Sequence, residues 1–476
     1  MGDKDMTASE LSCQHAVAEP CHLLAEARGK RHELVSRGRW QEADVLVERA
    51  LRETLRDAHA VRAPDLADLT YVPGARMLGS AEGDGRFGYS TAARAGAVRA
   101  LLLANRGLNR AEAVRQAGIV LGSPGRNDIG GFWAAVLTLI YANELAGANG
   151  ACARAATVAQ WSRSALHRDA LALLRGRIWA ASGKVPKAVS VFGRVRRERD
   201  ASPELVGVAA AWHAEALSAV GEHRQAYIAL HESGFDGAGT SHPERAQLLA
   251  ARSAAHLAAG NFRLGLEDAL ASGECVGMWG VHNPAVLPWR SRAAVCASGL
   301  GRTEFAAVLA RQEHELARRW GTKRARGIAL NALGIAQRDD AGGIEAVREA
   351  EALLSGAPDT LELTKVRFGL GCLLLSLGRR EQAEGFLSAA ADTELRPWSA
   401  HAAATLRRMA DGHWTPSLTE QEKKVARLAL AGRTNKEVAT GLHLTARTVE
   451  FHLSNTYRKL GISGREELVT AALLVG

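Results

Sequence analysis

Cysteine, proline, aromatic residues and long apolar runs are all scarce in this 476-residue sequence, which holds 6 Cys, 12 Pro and 5% aromatic residues. The cysteines are scattered and form no Cys-x-x-Cys pair, which argues against a disulfide framework and a zinc site and fits a reducing cytosol. The longest apolar runs, near 133–141 and 368–377, are far shorter than the ~20 residues of a membrane-spanning helix. The first residues contain no apolar signal segment, so we expect neither secretion nor membrane insertion.

Several chemical signatures are also missing. There is no Gly-x-x-x-x-Gly-Lys-[Ser/Thr] phosphate loop, no strand-rich N-terminal domain, and no Ser/His/Asp or Cys/His arrangement in a recognisable context. The histidines do not recur at metal-ligand spacing on a shared helix face. These absences favour a protein that is not an enzyme and that uses no cofactor and no metal ion.

Composition and charge favour an all-α protein with a basic C-terminal part. Alanine and leucine dominate, whereas β-branched and aromatic residues are few, which favours helix throughout. The net charge is +9, and residues 417–476 contain nine basic and six acidic side chains. One third of the net charge therefore lies in about an eighth of the chain. The charge alone is weak evidence for a nucleic-acid partner, and its placement on one helix of that part is better evidence.

Between about 92 and 410 a glycine is followed five residues later by a small residue, at intervals of 36 to 41 residues. The copies are Gly183/Ala188, Gly221/Ala226, Gly260/Gly265, Gly301/Ala306 and Gly378/Ala383, with an earlier copy at Gly38/Ala43, a looser one at Gly342/Ala346, and weaker ones near Gly107 and Gly147. A fixed period of this size predicts stacked helical hairpins. The pattern resembles tetratricopeptide repeats and predicts a helical-hairpin solenoid over 21–410, whose groove would receive an unknown peptide, protein or small-molecule effector.

Three segments interrupt or flank the repeats. Residues 1–20 are predicted to be a polar tail, and 411–417 a short linker to the C-terminal domain. The Gly- and Pro-rich stretch 62–90 is predicted to be an irregular loop, either an effector-sensing segment or, more commonly, a surface excursion.

The C-terminal segment 414–476 carries the signals of four short helices, predicted at 420–431, 435–442, 446–460 and 464–474. Each predicted helix start has a hydroxyl residue suited to capping. Three of these residues are followed three positions later by a glutamate, in the pairs Thr419/Glu422, Thr434/Glu437 and Ser463/Glu466, and the fourth is Thr445. Gly432 and Gly461 stand where helices should end. The segment is therefore predicted to be a small four-helix, helix-turn-helix domain.

The helix predicted over 446–460 has two different faces. At 100° per residue, one stripe is mostly apolar and should face the domain core: Val449, Leu453, Thr456 and Leu460. The opposite stripe mixes charge, hydroxyl, amide and one aromatic ring: Arg447, Glu450, Phe451, Ser454 and Arg458, with Asn455 beside it. A helix of this kind fits the major groove of B-DNA.

The polar face suggests a division of roles. Base edges are the expected partners of Glu450, Phe451, Ser454 and Asn455, through hydrogen bonds or contact with a thymine methyl group. Phosphates are the expected partners of Thr434, Asn435, Lys436, Arg447, Thr448, Arg458 and Lys459, some through side chains and some through helix N-terminal amides.

Residues 418–468 resemble the LuxR/GerE-type helix-turn-helix domain of bacterial transcription regulators. The matching residues include Asn435-Lys436-Glu437-Val438-Ala439, Thr448-Val449, His452-Leu453, Tyr457-Arg458-Lys459-Leu460-Gly461 and Arg465-Glu466-Glu467-Leu468. The resemblance implies a cytoplasmic, nucleoid-associated regulator that binds double-stranded promoter DNA as a homodimer and acts on the transcription machinery. Leu468 and Ala472 are the candidate dimer contacts.

The sequence departs from the family pattern at two positions. Thr456 replaces a bulky aliphatic residue, which predicts a slightly underpacked core, and Gly441 within a helix costs ~1 kcal/mol relative to alanine. The chain also resembles the C-terminal part of large ATP-binding LuxR-type regulators but lacks their NTPase. Two alternatives remain: a tetratricopeptide-like interaction scaffold whose terminal domain serves dimerisation only, and a surface-charged helical cap on the repeats.

Overall fold

The computed structural model of the chain describes residues 70–74 and 91–468, apart from 123–128, 199–201, 204, 236–243, 338–340, 357–359, 411–417, 431, 461, 463 and 466–467, together with scattered positions between 27 and 50. Its described residues form 21 α-helices between Thr91 and Leu460, with further helical positions between 27 and 50, and none of them lies in a strand. The all-α prediction is confirmed. The predicted tail at 1–20 and linker at 411–417 lie outside the described residues.

The chain divides into two compact units. The first consists of 1–174, 202–205 and 276–282, and the second of 175–201, 206–275 and 283–476. Five helices lie in the first unit: α1 (Thr91–Arg106), α2 (Arg110–Gly122), α3 (Ile129–Tyr141), α4 (Leu145–Ala156) and α5 (Ala159–Arg163). A sixth helix, α6 (Ala165–Ala181), begins in the first unit and ends in the second.

The second unit contains the remaining helices. Those before residue 411 are α7 (Val185–Arg197), α8 (Val206–Ala219), α9 (His223–Glu232), α10 (Arg245–Ala258), α11 (Phe262–Gly277), α12 (Trp289–Gly299), α13 (Thr303–Trp320), α14 (Lys323–Ala336), α15 (Ala341–Leu354), α16 (Leu361–Ser376), α17 (Arg380–Ala391) and α18 (Trp398–Ala410). Three more follow: α19 (Glu420–Leu430), α20 (Asn435–Leu442) and α21 (Ala446–Leu460). In the described part of the chain no helix is both long enough and apolar enough to cross a bilayer.

Residues 70–74 are buried in the first unit, so this part of the predicted 62–90 loop is not a surface excursion. The Asn105 side chain donates to Thr70 Oγ1 and to the Tyr71 carbonyl, both at 2.8 Å. The indole N–H of Trp133, in α3, donates to the Pro73 carbonyl at 2.7 Å. These side chains supply partners for backbone groups that form no secondary structure, which is what allows an irregular segment to be buried.

The predicted repeat landmarks are the turns of helical hairpins. A glycine with positive φ, between 74° and 84°, joins the two helices of five consecutive-helix pairs: Gly183 (α6/α7), Gly221 (α8/α9), Gly260 (α10/α11), Gly301 (α12/α13) and Gly378 (α16/α17). Glycine occupies this left-handed conformation without the penalty of a side chain. The small residues five positions later are buried inside the hairpins, as predicted: Ala188, Gly265, Ala226, Ala306 and Ala383.

Two of the weaker landmarks are wrong. Gly342 is not a turn residue but lies in the first turn of α15, which begins at Ala341. Gly147 lies inside α4, where the preceding turn uses Asn143 with a φ of 62° instead. By contrast, Gly107, between α1 and α2, has a φ of 70° and does mark a turn. Because asparagine also tolerates the left-handed conformation, a glycine-only pattern missed the turn at Asn143.

Candidate nucleic-acid interface

Helix α19 begins with the predicted capping pair and carries a buried carboxylate. The Thr419 backbone N–H donates to Glu422 Oε2 at 2.7 Å, and the Glu422 N–H donates to Thr419 Oγ1 at 3.2 Å. Lys459 Nζ lies 2.6 Å from the same Glu422 Oε2. Burial acts to raise the pKa of Glu422, but hydrogen bonds from Lys459 and Thr419 outweigh burial and hold the pKa below its ordinary value. Glu422 therefore stabilises the start of α19 and, through its ion pair with Lys459, connects α19 to the end of α21.

Helix α20 has a complete capping box. The Thr434 N–H donates to Glu437 Oε2 at 2.7 Å, and the Glu437 N–H donates to Thr434 Oγ1 at 3.2 Å. At its other end His443, with a φ of 54°, donates its N–H to carbonyls of the last turn. Only residues 443–445 separate α20 from α21, where the Thr448 N–H donates to Thr445 Oγ1 at 3.1 Å. The arrangement is a helix, a three-residue turn and a second helix.

One face of α21 is buried, and it is the predicted one. Val449, Leu453, Thr456 and Leu460 are each at most 5% exposed. They share a core with apolar residues of the neighbouring helices, including Val425, Ala426, Leu430, Val438 and Ala439. The hydroxyl of Thr456 donates to the His452 carbonyl at 2.7 Å. The polar group that replaces an aliphatic one is thus hydrogen-bonded within its own helix.

The opposite face of α21 is exposed. Its exposed side chains are Arg447, Glu450, Phe451, Ser454 and Arg458, and Asn455 beside them is partly buried. Phe451 is 64% exposed, among charged and polar residues of the same face. Fully burying such a ring is worth about 1.5–3 kcal/mol. An apolar ring held in water on a charged face is suited to contact with an apolar group of a partner.

Most of the residues predicted to contact phosphates lie near the ends of α20 and α21. Thr434 and Lys436 are exposed, and Asn435 is partly buried, at the N-terminus of α20. The first N–H groups of a helix have no intrahelical acceptor, so this end can donate to an anion. Arg447 and Arg458 are exposed at the two ends of α21. Thr448 is partly buried, and its hydroxyl is 2.8 Å from that of Thr445.

Two predicted site residues have internal roles. Lys459 forms an ion pair with Glu422, and the two side chains are only 19% and 6% exposed. The Lys459 ammonium is therefore engaged in a contact within the domain. Leu468 is 0% exposed within that core, so it is not available to a second copy of the chain. The other candidate dimer contact, Ala472, lies outside the described residues, as do Gly461 and most of the predicted helix 464–474.

Two arginines that secure the helix ends were not predicted as functional. Arg465 Nη2 donates to the Ala429 carbonyl at 2.6 Å and to the Arg433 carbonyl, at the end of α19. Arg408, in α18, donates to the carbonyl of Leu460, the last residue of α21, and its Nη2 lies 2.9 Å from Thr405 Oγ1. The contacts of Arg465 and the contact of Arg408 with Leu460 join residues 32 to 52 positions apart. No local sequence signal could have identified them.

Comparison with known proteins places residues 416–472 in the family described as "Bacterial regulatory proteins, luxR family". The spore germination protein GerE of Bacillus subtilis is 39% identical over 61 residues, which are 13% of this chain and 82% of that protein. The uncharacterized response regulatory protein YgeK of Escherichia coli is 41% identical over 59 residues, 12% of this chain and 40% of YgeK.

Longer relatives match over the same short stretch. The HTH-type transcriptional regulator MalT of Yersinia pestis is 38% identical over 58 residues, which are 12% of this chain and 6% of MalT. A putative HTH-type transcriptional regulator of Mycobacterium bovis is 45% identical over 56 residues, again 6% of that protein. The similarity to these regulators therefore concerns the C-terminal domain alone.

Proposed function

This chain belongs to the luxR family of bacterial regulatory proteins and is a DNA-binding transcriptional regulator; from that premise we propose that α21 reads the sequence of promoter DNA in the major groove. The supporting observation is the contrast between the two faces of one helix. Its apolar residues are enclosed in the domain core, while Glu450, Ser454 and Arg458 on the other side are exposed. A slim helix with such a face matches the dimensions and hydrogen-bonding pattern of the major groove.

Base recognition is assigned to four side chains of α21: Glu450, Phe451, Ser454 and Asn455. Glu450 would accept from a cytosine amino group, Ser454 and Asn455 would hydrogen-bond base edges, and Phe451 would contact a thymine methyl group. Arg458, near the end of the same face, would reach a phosphate of the groove wall. Among the described residues of the domain, Phe451 is the most exposed large apolar one, which supports its contact with a methyl group.

Phosphate contacts would fix the register of α21 on the duplex. The N-terminal amides of α20 near Thr434 and Asn435, and the exposed Lys436 ammonium, would bind one strand. Arg447 and Thr448 at the start of α21 would bind the backbone beside it. Lys459 would act indirectly, because its ion pair with Glu422 holds the end of α21 against α19.

The regulator would act as a dimer on two half-sites, whose centres would lie about 10 base pairs or a multiple apart. Ala472 remains the candidate dimer contact of the last helix, since Leu468 is enclosed in the core of its own domain. The helical hairpins would receive a peptide, protein or small-molecule effector, and the DNA-bound protein would contact the transcription machinery. This role places the protein in the bacterial cytoplasm, at the nucleoid.

Selection from a random DNA library with the full-length protein tests the proposal. Mobility shifts then compare the selected sequence with a scrambled duplex of the same composition, at a stated salt concentration because affinity depends on it. A defined motif with at least about a thousandfold preference over the scrambled duplex is expected. Absence of DNA binding at low salt would instead favour a protein-interaction scaffold whose terminal domain serves dimerisation.

A further inference from the structure

Six charged side chains on the first helices of five hairpins in the second unit are linked by ion pairs and by the interaction of their charges. They are Arg177 (α6), Glu215 (α8), Arg292 (α12), Arg324 (α14), Glu362 and Lys365 (both α16). We call them the charged cluster. None belongs to the DNA-binding domain, and none has a role in the interface described above.

Glu215 is the centre of one half of the cluster. Its Oε2 accepts from Arg177 Nη1 at 2.9 Å and its Oε1 accepts from Arg292 Nη2 at 3.2 Å. Arg292 also donates from Nη1 to the Ala250 carbonyl at 2.5 Å. Burial acts to raise the pKa of Glu215, but the two arginines lower it to about 2. This carboxylate is therefore ionised, and it neutralises only one of its two arginines.

The other half of the cluster leaves hydrogen-bonding capacity unused. Arg324 Nη2 and Glu362 Oε1 are 2.5 Å apart, with side chains 33% and 15% exposed. Arg324 Nε and Glu362 Oε2 are buried and have no hydrogen-bond partner in the described part of the chain. Buried polar atoms are normally satisfied, so this pair retains one donor and one acceptor that a further partner, such as water or a ligand, could satisfy.

Lys365 lies on α16, one turn after Glu362, and interacts electrostatically with charges of both halves. Burial is the main cause of its lowered pKa; Glu362 and Glu215 oppose the change, while Arg292 and Arg324 add to it. The charges that act on Lys365 are therefore carried by four different helices. Its ammonium lies 5.4 Å from the centre of the Trp398 ring, and no described residue gives it a hydrogen bond or an ion pair.

The cluster has more positive than negative groups. Three arginines and one lysine face two carboxylates, and no side chain in the ion pairs of the cluster is more than about one third exposed. Like charges in a partly desolvated site are unfavourable unless an opposite charge compensates them. An anion beside Lys365 would supply that charge and accept the hydrogen bonds that its ammonium can donate.

We propose that the charged cluster binds a small molecule bearing a carboxylate or phosphate group, with Lys365 as its direct contact and Arg292 and Arg324 beside it. This inference rests on the proposed role of the helical hairpins as the effector-receiving part of the regulator. Trp398 forms one wall of the site, since its ring lies against the Lys365 ammonium. The ligand would therefore be the effector, or the anionic end of it.

Titration of the full-length protein with potassium phosphate and, separately, potassium succinate tests the assignment. Tryptophan fluorescence reports the site through Trp398, and potassium chloride at matched ionic strength is the control. At least one of the two anions should give a saturable change that chloride does not. Lys365→Gln should weaken that binding about tenfold or more, whereas Lys365→Arg, which keeps the charge, should largely retain it.

Two further variants locate the bound anion. Lys187→Gln removes an exposed lysine of α7 and should change nothing. Lys436→Ala removes a predicted phosphate contact of the DNA-binding domain and should also leave the titration unchanged. Saturation by phosphate alone would assign a phosphorylated ligand, and saturation by succinate alone a carboxylate.

Three results would overturn the inference: no saturable response to either anion, equal binding by wild type and Lys365→Gln, or loss of binding in Lys436→Ala. Circular dichroism confirms that each variant is folded before it is titrated. Mobility shifts on the same preparations keep the two proposals apart. A protein that binds DNA but not the anion would contradict only the proposed anion site. A protein that binds the anion but not DNA would contradict only the proposed readout of DNA.

Discussion

Lys436 and Glu450 occupy different parts of the interface and should respond differently to substitution. Lys436→Ala removes an exposed ammonium at the N-terminus of α20. We expect weaker binding to every DNA sequence alike, and a slope of log affinity against log salt reduced by about one, because one fewer counterion is released. The measurement is a salt series with the full-length protein. Lys187→Ala, in α7, is the control, and an unchanged slope in Lys436→Ala would remove that residue from the phosphate contacts.

Glu450→Ala removes an exposed carboxylate from the middle of the α21 face. We expect preference at a single base-pair position to relax by about 1–3 kcal/mol, with little change elsewhere in the motif. Sequencing of selected libraries for wild type and variant measures this. The control is Glu384→Ala, which removes an exposed carboxylate from α17. An identical motif for wild type and Glu450→Ala would exclude Glu450 from base recognition.

The exposure or burial of individual residues was predicted well where helical spacing decides it, whereas partners far away along the chain were missed. The 100° periodicity separated Glu450 and Ser454 from Val449 and Leu453 correctly, because a helical stripe depends only on spacing. The same reasoning assigned Lys459 to DNA. Its actual partner, Glu422, is 37 positions away, and only the packing of α19 against α21 brings the two together.

At the scale of elements, the start of α20 is stabilised by a capping box that a single substitution removes. Thr434→Ala abolishes the capping box with Glu437 and should lower the free energy of unfolding of the DNA-binding domain by about 0.5–2 kcal/mol. Thr440→Ala, six residues on in the same helix, is the matched control, because the Thr440 hydroxyl only bonds back to the Lys436 carbonyl. Urea unfolding of both variants measures the difference, and equal stability would show that the cap contributes little.

Hairpin α12/α13 contains a buried carboxylate that makes stability depend on pH. Glu313 is 0% exposed, accepts from the Ser291 N–H at 3.2 Å and lies 3.5 Å from Arg290 Nη1. Burial raises its pKa to about 7 despite the arginine. The folded state then binds the proton more tightly than the unfolded state. The stabilisation that comes from protonated Glu313 is therefore complete below about pH 4.5 and is lost as the pH rises through about 7.

Glu313→Gln should therefore flatten the dependence of stability on pH. In wild type this one group should lower the free energy of unfolding by on the order of 3 kcal/mol between about pH 5 and pH 8. Denaturant unfolding at several pH values compares wild type with Glu313→Gln and with Glu384→Gln, an exposed control. Parallel curves for wild type and Glu313→Gln would contradict the raised pKa.

Element boundaries were predictable where the signals are local. The predicted helices 420–431, 435–442 and 446–460 agree with α19, α20 and α21 to within one residue, because capping hydroxyls and glutamates lie next to the helices they begin. The hairpin turns at Gly183 and Gly301 were also predicted, because the turn glycine itself is a local signal. Residues 70–74 were not, since their burial depends on Asn105 and Trp133, well beyond any local window.

At the scale of the whole molecule, Arg408 connects the helical hairpins to α21, the helix proposed to read DNA. It lies in α18 and donates to the Leu460 carbonyl at the end of α21. A cation at a helix C-terminus stabilises the last turn. Arg408→Ala should therefore speed amide hydrogen exchange at 457–460, whereas Arg407→Ala, its exposed neighbour, should not. Equal exchange in the two variants would mean that this contact does not secure α21.

The all-α architecture and the place of the DNA-binding domain followed from composition and from one dense run of signals. The proposed anion site did not, because its charges come from five helices spread over almost two hundred residues. Sequence spacing shows which residues share a helix face. It does not show which faces of distant hairpins meet, so a site such as the charged cluster becomes visible only in three dimensions.

Disulfide cross-linking between α21 and the major groove tests the central claim most directly. Ser454→Cys in the full-length protein is mixed with the selected DNA carrying a thiol tethered to a cytosine in the major groove of one half-site. Wild type gives the background from the native cysteines, and Ser388→Cys, exposed in α17, is the positional control. Efficient cross-linking of Ser454→Cys alone is the predicted result. Cross-linking no greater than that of Ser388→Cys, on DNA that the protein demonstrably binds, would contradict it.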